Sequence, residues 1–272
     1  MSTPTPIATP AATAQTPMQA NLIALGTIVR REVHRILRIW GQTLVPPAIT
    51  MTLYFLIFGN LIGSRIGQMG GFSYMEFIVP GLVMMSVIQN AYGNISSSFF
   101  GAKFGRHVEE LLVSPMPNWV ILGGYVAGGV LRGLMVGAIV LAIAMLFTRV
   151  SIPHPLVTLS SVLLAAVVFS LAGFVNAVYA KKFDDIAIIP TFVLTPLTYL
   201  GGVFYAVEAL PPFAQTLTLA NPIVYMVSAF RHGLLGSSGI HLGVSYAVML
   251  GFTVALVWLS LHLLRKGVGL RS

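Results

Sequence analysis

Long apolar segments follow one another along the chain, and the charged residues collect in the gaps between them. Six such segments cover residues 44–63, 77–99, 119–147, 156–180, 186–205 and 243–264. All but the short, proline-broken fifth clearly reach the roughly 20 apolar residues that cross the hydrocarbon core of a bilayer. The pattern therefore predicts an all-α polytopic membrane protein with six transmembrane helices.

The segment 20–41, before the first span, has an amphipathic pattern. Its apolar residues recur at steps of three and four and form one stripe: Leu22, Leu25, Val29, Val33, Ile36 and Trp40. Its arginines cluster on the other side: Arg30, Arg31, Arg35 and Arg38. This pattern predicts a helix that lies in the membrane interface. The uncharged, Pro- and Thr-rich residues 1–19 are expected to be a disordered tail, which leaves 42–272 as the six-span domain.

The connection between the second and third spans, residues 101–118, carries a short helical pattern of its own. A helix over 106–113 would be stopped by Pro115 and Pro117. Such a helix would expose four polar residues, Arg106, His107, Glu109 and Glu110, and would offer three apolar ones, Val108, Leu111 and Leu112. A solvated connector needs no apolar face, so we expect this loop to dock on another surface.

Prolines divide the fifth span and the region after it. Pro190 and Pro196 should kink the span, and nearby threonine hydroxyls can bond the carbonyls that the prolines release. Beyond the span, Pro211, Pro212 and Pro222 break an apolar stretch into pieces too short to cross a membrane. We expect two short helices that dip into the outer leaflet, as a broken re-entrant hairpin between spans five and six.

Span three combines a face of small residues with one charge. Its closely spaced glycines are Gly124, Gly128, Gly129, Gly133 and Gly137. Glycines four residues apart let helix backbones approach, so this face should pack against another helix. Arg132 lies near the middle of the same span, where an unpaired charge costs about 3 kcal/mol.

Polar residues of span two lie at a depth that matches Arg132: Gln89, Asn90 and, a turn further in, Asn94. Two interpretations of Arg132 remain open. These amides and backbone carbonyls hold the arginine as a structural group, or Arg132 lines a polar pathway for an amphipathic or anionic substrate.

The distribution of charge gives the orientation of the spans. The formal net charge is +8, and the chain is 56% hydrophobic and 8% charged, which is too apolar for a soluble domain. If the spans alternate, eleven cations share one side: Arg30, Arg31, Arg35, Arg38, Lys103, Arg106, Lys181, Lys182, Arg265, Lys266 and Arg271. The other side has Arg65, Arg149 and Arg231. Positive residues stay cytoplasmic, so both termini are expected inside, and the basic balance favours anionic lipids rather than nucleic acid.

Several kinds of chemistry are excluded by what the sequence lacks. There is no cysteine, so disulfides and thiolate metal sites cannot form. No Gly-Lys dipeptide occurs, so there is no nucleotide-binding P-loop. The histidines are scattered among loops and span ends without a His-Glu-x-x-His motif, and we expect no metal site.

Short motifs along the chain together resemble one transporter family. They are Glu109-Glu110-Leu111-Leu112-Val113-Ser114-Pro115, Gly201-Gly202-Val203-Phe204 with Leu210-Pro211, and Ala220-Asn221-Pro222-Ile223-Val224-Tyr225 leading to Phe230-Arg231. Residues 20–272 resemble the transmembrane permease subunit of ABC-2-type exporters, especially the small bacterial inner-membrane permeases paired with a separate ATPase. Many members of that family carry Gly-Thr-Leu where this chain has Arg106-His107-Val108.

The resemblance implies a homodimer of this chain with two copies of an ATP-binding subunit, in the bacterial inner membrane. ATP and Mg²⁺ would be bound by that subunit, and this chain would be a non-catalytic membrane subunit without a cofactor of its own. The loop between the second and third spans, at residues 103–115, would be the coupling helix that contacts the ATPase. Its contact residues would be Lys103, Arg106, His107, Glu109, Glu110, Leu111, Leu112, Ser114 and Pro115. The interface helix would lie near the ATPase too. The expected function is outward movement of a lipid, glycolipid or hydrophobic drug-like substrate.

Two other classes of function compete with this interpretation. A secondary transporter or channel would work without an ATPase, but such proteins usually show internal repeats and midplane acidic residues, and the sequence shows neither. A membrane assembly or scaffold protein would not need the docking loop. An ATPase gene with a P-loop beside this one would separate the alternatives.

Overall fold

The computed structural model describes residues 16–237 and 239–269. Within these ranges the chain is almost entirely helical, with one very short β-hairpin. Positions 1–15 of the expected disordered tail lie outside the described residues, as does Arg271. The side chain of Leu112 is also outside the described part of the chain.

The first helix, α1, spans Pro17–Arg38. A capping box fixes its start, because the side chain of Thr16 accepts a hydrogen bond from the Gln19 backbone and the Gln19 side chain accepts one from the Thr16 backbone. A proline in the first turn is pre-organised for the helix. The helix predicted over 20–41 is therefore present but displaced. Residues 17–19 belong to it rather than to the tail, and Trp40 belongs to the next helix.

The next helical segment changes its winding along its length. It consists of α2 (Trp40–Tyr54), a π-helical stretch (Phe55–Ile62) and α3 (Gly63–Ile66). Pro46 and Pro47 lie inside α2. The helix thus begins about one turn before the apolar segment predicted from residue 44.

A hairpin connects this segment to the longest helix. Strands β1 (Gln68–Met69) and β2 (Phe72–Ser73) pair antiparallel, and Gly70 and Gly71 between them both have positive φ angles. Such angles favour glycine, which has no Cβ to clash. Helix α4 (Tyr74–Phe104) follows directly, and most of its residues are buried.

The remaining helices are α5 (His107–Val113), α6 (Asn118–Phe147), α7 (Pro155–Tyr179), α8 (Asp185–Ile189), α9 (Thr195–Tyr199), α10 (Pro212–Leu219), α11 (Pro222–Leu235) and α12 (Leu242–Lys266). A π-helical stretch, Pro190–Leu194, joins α8 to α9. The hydroxyl of Thr195 donates to the carbonyl of Pro190 at 2.8 Å, but this carbonyl also accepts the backbone N–H of Thr195 and is not one that a proline releases. The carbonyl that Pro190 releases, four residues earlier, is that of Ile186, and it accepts a hydrogen bond from the side chain of Asn176 at 3.2 Å rather than from a threonine. Helices α10 and α11 are the two short helices expected after the fifth span.

Among the described residues, four helical segments are long and apolar enough to cross a membrane: Trp40–Gly59, α6, α7 and α12. They correspond to the first, third, fourth and sixth predicted spans. Helix α4 has the length of a span but a more polar composition, and the segment Asp185–Tyr199 is apolar but shorter. The fold is therefore an all-α membrane protein in which four of the six expected spans meet both criteria.

Close backbone contacts hold α4 between α6 and α7. A Cβ atom added at Gly133 of α6 would lie 3.1 Å from the carbonyl oxygen of Val87, and one at Gly173 of α7 would lie 2.5 Å from that of Tyr92. Gly124 of α6 makes a similarly close contact with Ile28 of α1. The predicted packing along the glycine face of span three is thus confirmed, and the face has three partners, α4, α1 and, at Gly129, α7.

Two apolar clusters form the core. The larger one surrounds the first half of α4 and includes residues of α11 such as Met226 and Phe230. The second lies at the opposite end of α4, around Phe99, Tyr125 and Phe174. This second cluster supports the loop in which the sequence predicts a docking site.

Candidate functional site

Helix α5 is a short helix of about two turns between α4 and α6. Arg106, just before it, has a left-handed backbone with φ of 59°, which is uncommon for a residue other than glycine. Glu109 and Glu110 lie in the first turn, where the helix dipole favours negative charge. At the other end the hydroxyl of Ser114 donates to the carbonyl of Leu111 at 2.6 Å. The chain then leaves the helix at Pro115, as predicted.

The apolar side of α5 is turned into the protein. Val108 is only 1% exposed and belongs to the second core cluster, and Leu111 packs against the same cluster. The expected apolar docking face is therefore used within the chain itself, and this corrects the argument for a partner that rested on it. The outward surface of the loop is instead polar, with exposed Arg106, His107, Glu109 and Glu110 beside a fully exposed Val113.

Lys103 fastens the end of α4 to the end of α7. Its Nζ donates hydrogen bonds of 2.7 Å to the carbonyls of Val178 and Ala180, which α7 leaves unpaired at its C-terminus. Burial lowers the pKa of the Lys103 amine, while the carboxylate of Asp185 acts in the opposite direction. Lys103 is thus a structural cation at the base of the loop rather than an outward-facing one.

Asp185 holds the connection between α7 and α8 in place. Its carboxylate accepts hydrogen bonds from the backbone N–H groups of Lys181 at 2.7 Å and Lys182 at 3.0 Å. These two bonds lower the pKa of the Asp185 carboxyl group. The connection therefore lies beside Lys103 in a defined conformation.

A buried carboxylate joins α1 to α4. Glu32 is 1% exposed, and its two oxygens lie 2.6 Å from the hydroxyl of Ser98 and 3.0 Å from Nη2 of Arg35. The same Arg35 nitrogen donates to the side-chain oxygen of Asn94 at 2.7 Å. Because a charged group loses its hydration on burial, only such partners make this position of Glu32 tolerable.

Glu32 was not predicted from the sequence as a site residue. Its spacing could have identified it, because Glu32 lies four residues from both Ile28 and Ile36, and these three residues form the buried face of α1. The predicted apolar stripe overlaps this face only in part, because Ile36 belongs to both, whereas Leu22 and Trp40 are 52% and 60% exposed. The face of α1 against the protein is therefore turned away from part of the predicted apolar stripe and includes a carboxylate that the sequence did not place there.

Arg31 and the glycines of α6 complete the contact with α1. The guanidinium of Arg31 donates to the hydroxyl of Tyr125 and lies 5.3 Å from the centre of its ring. A Cβ atom at Gly128 would lie 2.7 Å from the Cβ of Glu32, so only glycine lets α1 approach this closely. The interface helix is thus anchored on both α4 and α6.

A basic cavity of about 560 Å³ opens between α1, α4 and α5. Its lining residues include Arg31, Glu32, His34, Arg35, Arg38, Ser97, Ser98 and His107. Three of the four predicted interface arginines therefore face one space together with His107 of the predicted coupling helix, whereas Arg30 is exposed elsewhere on α1.

Arg132 is not held by the amides that the sequence suggested. Asn94 accepts its hydrogen bond from Arg35, and the side chain of Asn90 donates to the carbonyl of Ser86 at 3.0 Å within its own helix. Within the described ranges Arg132 has no hydrogen-bond or ion-pair partner, Gln89 included, and its Nε is buried. The predicted structural pairing is therefore not what this fold contains.

The sequence model of the ABC-2 type transporter family matches residues 23–235. The chain is 59% identical over 250 residues to the inner membrane transport permease YadH of Escherichia coli K12, covering 92% of this chain and 98% of that protein. It is 24% identical over 216 residues to nodulation protein J of Sinorhizobium fredii, covering 79% and 82%. It is 23% identical over 215 residues to nodulation protein J of Rhizobium meliloti, covering 79% and 82%.

Proposed function

The chain belongs to the ABC-2 type transporter family, and from this membership we propose that it is the membrane subunit of an ATP-driven exporter. Membership of this family, together with the sequence identity to an inner membrane transport permease, shows that the chain is a multi-pass inner-membrane transport permease. The proposal adds that transport is outward, that a separate chain hydrolyses ATP, and that the substrate is a lipid, glycolipid or hydrophobic drug-like molecule.

The observation that carries the proposal is the way α5 is held. Val108 is buried in the second core cluster, and Lys103 ties the start of the loop to the end of α7. The charges of Arg106, Glu109 and Glu110 are left outward. A partner that engages these charges would move a helix fixed to α4 and α7, so its motion would reach the membrane-embedded part of the chain.

The basic cavity supports a second contact near the same partner. Arg31, Arg35 and Arg38 of α1 meet His107 of α5 around it, which brings the interface helix and the coupling helix to one end of the bundle. We propose that this end is cytoplasmic, with six spans, both termini inside, and two copies of the chain bound to two ATP-binding subunits. ATP and Mg²⁺ would be bound by those subunits, because this chain has no Gly-Lys dipeptide for a P-loop.

The position of Arg132 supports the proposal that the substrate is amphipathic or anionic. A cation near the middle of a span, without a counter-ion among the described residues, is costly in hydrocarbon and usually faces a polar pathway. We propose that Arg132 lines this pathway, near the predicted polar residues Gln89, Asn90 and Asn94. Two of these, Asn90 and Asn94, are engaged within the protein, which makes Arg132 the principal candidate.

The test is transport by the full chain expressed together with a P-loop ATPase subunit, sought among the neighbouring genes. We expect the two proteins to copurify in equal amounts, and inverted membrane vesicles to accumulate substrate only when ATP is supplied. Transport that continues without ATP and follows an ion gradient would identify a secondary transporter instead. Absence of any copurifying ATPase would also contradict the proposal.

A further inference from the structure

A cavity of about 690 Å³ lies at the end of the bundle away from α5. Its walls come from the β1–β2 hairpin, the turn after α9, helix α11 and the residues that follow α11. The volume is within the range of small-molecule sites, which are mostly apolar with a few polar groups. Apolar residues along the walls include Phe72, Phe77, Val224, Leu235 and Ile240.

Arg231 is the cation of this cavity, and the fold holds it rigidly. Its guanidinium lies 3.9 Å from the centre of the Phe77 ring, and Nη2 donates to the carbonyl of Gly202 at 2.8 Å. Gly202 has φ of 70°, so this turn is one that favours glycine. A cation stacked on a ring and bonded to a backbone carbonyl keeps its full charge, because neither partner is an anion.

Two polar donors beside the cavity have no partner. Nε of Arg231 and Oγ of Ser228 are both buried and make no hydrogen bond within the described ranges. The two residues are three positions apart on α11 and therefore lie on the same face of that helix. Buried polar groups normally have hydrogen-bond partners, so two orphans beside one cavity indicate a missing acceptor.

Glu208, which also lines the cavity, does not neutralise Arg231. It forms no ion pair with the arginine among the residues that the structure describes. Its carboxylate lies instead against the backbone of Gly239, where a Cβ atom would collide with it. The cation that a ligand in this cavity can meet is therefore Arg231, and the carboxylate of Glu208 is the acid at the same cavity.

We propose that this cavity binds an amphiphile with a phosphate group, whose oxygens are held by Arg231 and Ser228 while its apolar part lies against the aromatic and aliphatic wall. Arginine and phosphate oxygens have complementary geometry and form strong charge-assisted hydrogen bonds. The site is separate from the proposed ATPase contact, since none of its residues lies on α1 or α5.

The experiment compares two lipids with the same acyl chains, phosphatidylglycerol and diacylglycerol, on the full chain in detergent. Native mass spectrometry should show roughly tenfold or stronger binding of the phosphate-bearing lipid, the size of effect expected of a charge-assisted hydrogen bond. A photoreactive phosphatidylglycerol should crosslink to the hairpin residues 68–73. Inorganic phosphate alone forms a third arm, read as a shift of the melting temperature.

Two variants test the site without depending on one another. Arg231→Gln should reduce phosphatidylglycerol binding about tenfold. Gln68→Glu adds a negative charge to an exposed wall residue, so it should fold normally and still weaken binding. Arg149→Gln is the control, because Arg149 is exposed near the same end of the bundle but does not line this cavity. It should bind like the parent.

The possible outcomes distinguish a lipid phosphate headgroup from free phosphate, and both from failure of the proposal. Loss of crosslinking and selectivity in both cavity variants supports a phosphate headgroup. A melting shift with inorganic phosphate that disappears in Arg231→Gln supports the same site with free phosphate as its ligand. Equal binding of the two lipids, or phosphate effects that survive both Arg231→Gln and Gln68→Glu, overturns the proposal.

Discussion

The hydroxyl of Ser98 donates a 2.6 Å hydrogen bond to the carboxylate of Glu32, across 66 positions of sequence. Through this bond the interface helix α1 is joined to the end of α4 that leads into α5. Arg35, paired with the other oxygen of Glu32, reaches Asn94, which lies one turn before Ser98 in α4. The helix at the membrane interface is thus attached by buried polar contacts and not only by its apolar face.

Replacing Glu32 with Gln should destabilise the protein. The change leaves Arg35 without its ion-pair partner in a half-buried position, and we expect a loss of about 1–3 kcal/mol. Thermal unfolding of the full chain in detergent measures it. Glu110→Gln removes an exposed carboxylate at the same end and should change the melting temperature little. Equal melting of the two variants would show that the buried network contributes nothing.

Gly128→Ala should also destabilise, although alanine is the better helix former. Its Cβ would lie 2.7 Å from the Cβ of Glu32, so α1 would have to move, at a cost of about 1–3 kcal/mol. Gly123→Ala is the matched control on the same helix, because its Cβ would meet only Leu25, at 3.6 Å. If both variants melt alike, the close approach of α1 and α6 is not required.

Charge reversal at Glu109 and Glu110 to Lys should uncouple the ATPase. The two carboxylates are exposed on α5, so the variant should insert and melt like the parent, while copurification of the ATPase falls at least about fivefold. Asp184→Lys reverses an exposed acid at the same end, off α5, and should keep the partner. Full copurification and unchanged substrate-stimulated ATP hydrolysis in the double variant would refute the coupling role.

Arg132→Gln should lower transport without lowering stability. The arginine has no partner among the described residues, so removal of its charge costs no ion pair and removes a desolvation penalty. We expect transport at least about fivefold slower, the effect of losing one charged hydrogen bond to substrate. Arg149→Gln, an exposed arginine, is the control. Normal transport with a lowered melting temperature would make Arg132 structural.

Both termini should be cytoplasmic. The expectation rests on the concentration of Lys and Arg at the end of the bundle that carries α5 and the last turn of α12. A reporter active only in the periplasm, fused after Ser272, should therefore be silent, and one active only in the cytoplasm should work. The reverse result would contradict the six-span topology.

The long helices could be predicted because each apolar segment meets the same requirement, a run of about 20 apolar residues that crosses the hydrocarbon core of a bilayer. The glycine face of α6 followed from a local rule and is confirmed. The faces of α1 could not be assigned in the same way. A helix at an interface meets water, lipid and protein, and periodicity does not distinguish a stripe facing lipid from one facing protein.

The site was predicted less well than the fold for the same reason. The apolar residues of α5 looked like a docking surface, but Val108 and Leu111 have their partners in the chain's own core. Glu32 stands among the arginines of the sequence and is buried in the fold. Which residues meet across 66 positions of sequence depends on packing that no local pattern records.

The backbone contacts of Gly133 with Val87 and of Gly173 with Tyr92 have a mechanical consequence. Helices α4, α6 and α7 cannot slide along one another without collision, so we expect them to move as one stiff block. The compliant joints are then the two π-helical stretches, Phe55–Ile62 and Pro190–Leu194, where the helical winding is interrupted. Their amide hydrogens should exchange faster than those of α4. Opening a passage would then be a rotation of the block about these joints rather than a shear within it.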